Sequence, residues 1–140
     1  MKNCVETRLR VRYAETDQMG MVYHSNYLIW MEVGRVEYFR AVGIVYRDLE
    51  RDEGILLAVV EASCRYLAPA LYDEEVIVRT WIEAANPRML RFGYEMVEAG
   101  DRRQLATGET KHVFCNREHR PMKLPERYRA AFGIISSPQR

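Results

Sequence analysis

The sequence predicts a single α+β domain in which an antiparallel five-stranded sheet wraps around one long helix. Two observations predict it: five stretches have the composition of strands, and one segment of roughly four to five turns has a face without charge. The 140 residues, 48% of them hydrophobic, suffice for one ordinary core but not for two. We therefore expect residues 1–140 to form one domain.

The first strand and the long helix follow from two different periodicities. Residues 5–13 alternate between uncharged and charged side chains, which is typical of a strand with one wet face. After a turn at Asp17–Gly20, uncharged residues recur at helical spacing: Tyr27, Trp30, Met31, Gly34, Tyr38, Ala41 and Val42. We expect Ser25 or Asn26 to cap this helix and Gly34 to allow a close approach of another backbone.

The rest of the chain predicts one short helix and four more strands. The helix is Tyr46–Glu53, and a terminal helix is expected within Pro125–Phe132. The strands are Ile55–Tyr66, Glu75–Ala85, Met89–Glu98 and Gln104–Asn116. Short links rich in turn residues separate them, which favours antiparallel neighbours. Open edges of such a sheet favour pairing with another copy, so we expect a homodimer or homotetramer.

Composition excludes several classes of function. A formal net charge of +1 gives no general attraction to nucleic acid. The three cysteines are widely spaced without a CxxC pair, and no standard spacing of histidines and acids completes a metal site, so neither metal nor cofactor is predicted. The longest apolar run has six residues, Ile55–Val60, and no signal peptide is recognisable. We expect a cytoplasmic protein.

The informative motif lies between the first strand and the long helix: Tyr13-x3-Asp17-x2-Gly20-x2-Tyr23-His24-x-Asn26-Tyr27. It resembles the 4-hydroxybenzoyl-CoA thioesterase family, in particular its YbgC-like acyl-CoA thioesterases, which have the hotdog fold. The resemblance implies that Asp17 is the catalytic carboxylate and that the backbone around Tyr23 and His24 faces the thioester carbonyl. It also implies that Tyr13 and His24 support the site and that substrate binds between protomers.

Physical chemistry supports the same reading. A thioester oxygen gains negative charge when its carbon is attacked, and a helix amino terminus offers free N–H groups and a positive dipole end. A carboxylate fixed on the preceding turn can act as general base or as nucleophile, and the sequence does not choose between them. The predicted reaction is hydrolysis of acyl-CoA, with Asp17 and His24 catalytic and Tyr13, Gly20, Tyr23, Asn26 and Arg88 in substrate binding.

Simpler roles compete at each position. An isolated DxxG acid usually stabilises a turn, and a lone histidine often makes only a structural hydrogen bond. Tyr13 and Tyr23 are expected to pack or to orient the acid, and Asn26 to cap the helix or pin the loop. Cations that could meet CoA phosphates include Arg88 and, along the last strand and its tail, Lys111, Arg117, Arg120 and Lys123. A solvated basic rim is the alternative.

Two rival functions remain open at this point. One is a non-catalytic acyl-CoA-binding protein that keeps the fold. The other is a hydratase or dehydratase of the hotdog type that uses His24 and the helix acid Glu32, although an ion pair between Glu32 and Arg35 is the expected role of that acid. The sequence leaves open the acyl preference, the choice of CoA or acyl carrier protein as thiol carrier, and the choice of dimer or tetramer.

Overall fold

The computed structural model describes residues 3–134, in which five strands and three α-helices alternate with two short 3-10 turns. In chain order the elements are β1 (Val5–Arg10), a 3-10 turn (Tyr13–Glu15), α1 (Asn26–Ala41), α2 (Tyr46–Glu53), β2 (Leu56–Tyr66), β3 (Glu75–Asn86), β4 (Met89–Glu98), β5 (Gln104–Cys115), α3 (Glu126–Arg129) and a 3-10 turn (Ala130–Phe132). Among these residues no helix is long and apolar enough to cross a membrane.

The five strands form one sheet in the order β1-β3-β4-β5-β2, and every neighbouring pair is antiparallel. The predicted five-stranded antiparallel sheet is confirmed, with β4 at its predicted bounds. β1 ends earlier than predicted, because Val11 exchanges hydrogen bonds with the loop residues Glu74 and Asp73 rather than with β3. The last predicted helix is shorter as well, since it divides into α3 and a 3-10 turn.

Helix α1 packs across the inner face of the sheet and forms its core. Its buried residues are Tyr27, Trp30, Met31, Gly34, Tyr38 and Phe39. Phe39 was absent from the predicted face, and Ala41, which was included, is exposed. The close approach predicted at Gly34 is confirmed, since a Cβ there would collide with the Thr80 side chain and lie 3.1 Å from Cγ1 of Val78. The sheet therefore fixes α1 along its length and holds the start of the helix at one end of the strands.

Candidate active site

The chain between β1 and α1 forms a small hairpin that carries Asp17. Thr16 and Val22 pair as an isolated antiparallel bridge, and the Asp17 N–H donates to the carbonyl oxygen of Met21 over 2.9 Å. The Gly20 N–H donates back to the Asp17 carbonyl at 3.0 Å, with Gly20 at φ = 83°. A positive φ is easy only for glycine, which explains this residue at the predicted turn.

The two carboxylate oxygens of Asp17 have different surroundings. Oδ1 accepts hydrogen bonds from the backbone N–H groups of Met19 at 2.8 Å and of Met21 at 3.5 Å. Within residues 3–134, Oδ2 has no hydrogen-bond partner. The turn role and the catalytic role of Asp17 are thus compatible, because one oxygen holds the loop while the other is free to meet water or substrate.

The start of α1 leaves a small number of N–H donors unused. The N–H groups of Asn26, Tyr27 and Leu28 each donate to the carbonyl three residues earlier, at 3.0, 3.3 and 3.2 Å. The Tyr23 N–H is also engaged, donating to the Glu15 carbonyl at 2.8 Å. Across the part of the chain that the structure describes, the N–H groups of His24 and Ser25 have no acceptor. The free backbone donors at the helix start therefore belong to His24 and Ser25 and not to Tyr23, and of these two residues His24 lines the neighbouring cavity.

The predicted helix cap is wrong. Neither Ser25 nor Asn26 makes a side-chain cap hydrogen bond, and Ser25 already has helical backbone angles. The Asn26 side chain instead donates from Nδ2 to the Glu15 carbonyl over 2.8 Å, the loop-pinning alternative. Asn26 holds the hairpin against the helix and leaves the helix start open.

Asp17, Tyr23 and His24 meet at one cavity of about 340 Å³. All of its other lining residues are apolar or aromatic: Met19, Met21, Val22, Tyr27, Tyr66, Leu67, Ala68 and Pro69. Such a lining suits an acyl group, with the few polar groups confined to the hairpin and helix start.

The lining of this cavity in a single chain lacks four predicted site residues: Tyr13, Gly20, Asn26 and Arg88. The Tyr13 side chain is 77% exposed and its ring packs edge-on against Tyr72, with centroids 5.5 Å apart. Arg88 follows β3 in the link to β4, next to Met89, which is aligned through β5 with Ala58 of β2. The cavity residue Tyr66 lies eight positions further along β2, or about 26 Å at strand rise. Their binding roles stay predictions.

The histidine ring contacts aromatic neighbours. Its centroid lies 4.4 Å from the Tyr23 ring and 6.3 Å from that of Tyr66. Tyr66 also donates its hydroxyl to the backbone carbonyl of His24 at 3.0 Å. Burial, together with the Cys64 thiol, raises the pKa of Tyr66 to about 12, so its hydroxyl remains a donor at neutral pH.

Sequence reasoning missed Tyr66 and Glu15. Tyr66 ends the second strand, and nothing in its local pattern indicates contact with a loop 42 residues away. Glu15 is a buried acid that accepts a hydrogen bond from Trp30. Glu15 lies inside the motif and three residues after Arg12, but acids are rarely buried, so its local pattern does not indicate burial.

The remaining polar predictions have structural partners or stay open. Glu32 is exposed, and Arg35 donates to the Tyr94 hydroxyl at 3.1 Å; within residues 3–134 no ion pair joins Glu32 and Arg35. Arg117 donates to the Arg51 carbonyl at 2.7 Å and so braces the end of α2. The described residues contain no group of three or more histidine, cysteine or acidic side chains arranged to hold a metal ion.

Comparisons with known proteins agree on one family. Residues 11–132 match the model of the thioesterase-like superfamily. The chain is 42% identical over 125 residues to the putative acyl-CoA thioesterase YneP of Bacillus subtilis, covering 89% of this chain and 86% of the relative.

Two solved structures extend the likeness to the fold. The hypothetical protein TT1821 from Thermus thermophilus has a TM-score of 0.86 at 38% identity, covering 91% of this chain and 96% of its own. The DHNA-CoA thioesterase from Staphylococcus aureus has a TM-score of 0.84 at 33% identity, covering 89% of this chain and 83% of its own.

Proposed function

The chain belongs to the thioesterase-like superfamily, and from that premise we propose that it hydrolyses an acyl-CoA thioester to a free acid and CoA. The predicted hotdog fold and thioesterase family are confirmed. The names of a relative and of a solved structure, an acyl-CoA thioesterase and a DHNA-CoA thioesterase, support CoA as the carrier. We also propose a cytoplasmic location, which the sequence alone predicts.

One observation carries the assignment of residues. Asp17 and His24 line the same cavity, with Oδ2 of Asp17 and the His24 N–H both without partners in residues 3–134. In this proposal the thioester oxygen accepts this N–H, and the carbonyl carbon faces the Asp17 carboxylate that lines the same cavity. The developing oxyanion is then stabilised where it forms, in an apolar surrounding that strengthens the interaction.

Two chemical routes use the same groups. As general base, Asp17 takes a proton from water while the water oxygen bonds to the carbonyl carbon. As nucleophile, Asp17 bonds to that carbon itself and forms an anhydride that water then hydrolyses. In both routes the C–S bond breaks, CoA leaves as a thiolate and takes up a proton, and the acid is released.

The His24 imidazole has a supporting role in this proposal. In the described residues it makes no hydrogen bond to Asp17, and it packs against Tyr23. This placement favours orientation of the acyl group over proton transfer, and a thiolate needs little help to leave. The backbone of His24 is therefore assigned more of the rate enhancement than its ring.

A second copy of the chain completes the site in this proposal. β2 is an edge strand that exposes Val59 and Val60, and the outward face of α1 exposes Leu28, Ile29 and Val33. Pairing of β2 with its copy buries these apolar side chains and removes an open sheet edge.

The same pairing also brings Arg88 of the second copy closer to the proposed substrate site. If the two β2 strands pair in antiparallel fashion, the end of the partner sheet that carries its Arg88 moves toward the cavity at Tyr66. CoA is long enough to need cations at a distance from the thioester, and a guanidinium can bind phosphate with two hydrogen bonds.

A panel of short, long and aromatic acyl-CoAs tests the function. The expected result is catalytic release of free thiol, followed with a thiol-reactive dye, for at least one member. Saturable binding without thiol release would replace hydrolysis by the acyl-CoA-binding function. Consumption of a hydroxyacyl thioester without thiol release would replace it by dehydration, and the same panel on acyl carrier protein identifies the carrier.

A further inference from the structure

Glu15 is a buried carboxylate two residues before Asp17. It is 6% exposed, and both of its oxygens have partners. Oε1 accepts the backbone N–H of Arg12 at 2.8 Å, and Oε2 accepts the indole N–H of Trp30 at 3.0 Å. The exposed Arg12 guanidinium lies 3.5 Å from Oε2. The side chain thus joins the chain just after β1, at Arg12, to the second turn of α1 at Trp30.

The backbone of the same residue binds the first turn of the helix. The Glu15 carbonyl accepts the Tyr23 N–H at 2.8 Å and the Asn26 side-chain amide at 2.8 Å. Its own N–H donates to the Arg12 carbonyl at 2.9 Å. Tyr23 immediately precedes His24, and Asp17 follows Glu15 by one intervening residue, so both ends of the candidate active site are anchored to this single residue.

Packing alone does not explain a carboxylate at this position. Removing a carboxylate from water is costly, and an apolar side chain of similar size would fill the space without that cost. What a carboxylate adds is direction, because charge-assisted hydrogen bonds to two donors fix its orientation. Here the two donors belong to the two segments whose separation sets the distance between acid and N–H.

We propose that Glu15 is a positioning residue that holds the Asp17 carboxylate at the correct distance from the His24 N–H for thioester hydrolysis. The inference rests on the proposed roles of Asp17 and His24. We assign Glu15 no contact with the substrate, since it is absent from the cavity lining. Its effect is on the rate of the bound complex, because a displaced acid lowers turnover without removing any binding contact.

The test compares Glu15→Gln with a matched control, Glu98→Gln. Glu98 also accepts backbone N–H groups, those of Gly100 at 2.8 Å and Asp101 at 2.7 Å, but in the turn between β4 and β5. For Glu15→Gln we expect kcat to fall by about 10-fold or more at nearly unchanged KM, since small displacements of reacting groups cost up to about 100-fold. Glu98→Gln should change neither constant. Assays are run well below each melting temperature.

A second variant, Trp30→Phe, keeps the test decisive if Glu15→Gln fails to fold. It removes the indole donor while leaving the carboxylate in place, so kcat should fall in the same way. In the double variant Glu15→Gln/Trp30→Phe, the fall in kcat should be smaller than the product of the two single falls. Unchanged kcat in the folded variants would overturn the proposal and reduce Glu15 to a structural role.

Asp17→Asn, measured in parallel, distinguishes a failure of the positioning role of Glu15 from a failure of the catalytic assignment of Asp17. If Asp17→Asn is inactive while Glu15→Gln and Trp30→Phe turn over as the wild type does, only the positioning role fails. If Asp17→Asn itself turns over normally, the catalytic assignment fails and the positioning role fails with it.

Discussion

The hydroxyl group of Tyr66 donates a hydrogen bond to the backbone carbonyl of His24 and ties the end of β2 to the start of α1. The two side chains also line the same cavity. Because β2 is the edge on which we propose that a second copy pairs, this hydrogen bond connects the proposed dimer interface to the site. The geometry of the helix start therefore depends on a strand that is distant in sequence.

Tyr66→Phe tests this connection. Loss of the hydroxyl removes one hydrogen bond, which costs about 1 kcal/mol of unfolding free energy. If the bond also orders the His24 backbone in the transition state, the transition state loses a similar amount of stabilisation, and kcat falls by about fivefold. Tyr72→Phe, at an exposed residue outside the cavity, is the control for hydroxyl removal. Equal kcat in both variants would show that the bond does not act on the site.

The contact between Gly34 and Thr80 tests the packing of α1. Gly34→Ala should lower the free energy of unfolding by about 1–3 kcal/mol, because its Cβ would collide with the Thr80 hydroxyl. Among the described residues, Oγ1 of Thr80 is buried without a hydrogen bond, so its removal leaves no partner unsatisfied. The double variant Gly34→Ala/Thr80→Ala should recover most of the lost free energy of unfolding, as measured by urea unfolding. Additive losses would contradict this account.

His112 predicts a dependence of stability on pH. It is fully buried, with Nε2 at 2.7 Å from the Thr110 hydroxyl and Nδ1 unbonded within residues 3–134. Burial, with the charge of Arg35, lowers its pKa to about 3 from the usual histidine value of 6.5. Between these two pH values His112 binds a proton in the unfolded chain but not in the folded chain. The free energy of unfolding therefore falls as pH falls from 6.5 toward 3.

His112→Gln isolates this contribution, since glutamine can keep a hydrogen bond to Thr110 but does not titrate. In urea unfolding from pH 7 down to pH 4, the wild type should lose more stability than the variant, with a difference in slope of up to about 1.4 kcal/mol per pH unit. Parallel curves for the two proteins would mean that His112 is protonated in the folded state as readily as in the unfolded state.

Strand composition and helical spacing predicted the sheet, the long helix and the position of Asp17, because each depends on local periodicity or on a short motif. The sequence could not reveal that Leu28, Ile29 and Val33 are exposed on α1, since the second copy that we propose covers them is not a property of one chain. Nor could it reveal Glu15, whose burial depends on donors supplied by Trp30 and by the turn of the chain at Arg12.

Assembly is tested by a charge on the exposed edge. Val60 is a half-exposed residue of β2, and Val60→Lys should reduce the solution mass from that of a dimer or tetramer to that of a monomer, because a lysine blocks pairing of sheet edges. The rate of thiol release should fall together with the solution mass. Tyr72→Lys, at an exposed position outside β2, should leave the mass unchanged. A monomeric wild type would contradict the proposed interface.

Turnover of acyl-CoA by Asp17→Asn is the measurement that tests the central claim most directly. Asparagine keeps an oxygen for the N–H groups of Met19 and Met21, so the hairpin should fold as before. Without an ionised oxygen, kcat for thiol release should fall by at least about 100-fold, the usual minimum for a lost general base. Asp73→Asn, at an exposed turn residue, should retain full activity. Wild-type turnover by a correctly folded Asp17→Asn protein would contradict the assignment of Asp17 as the catalytic carboxylate.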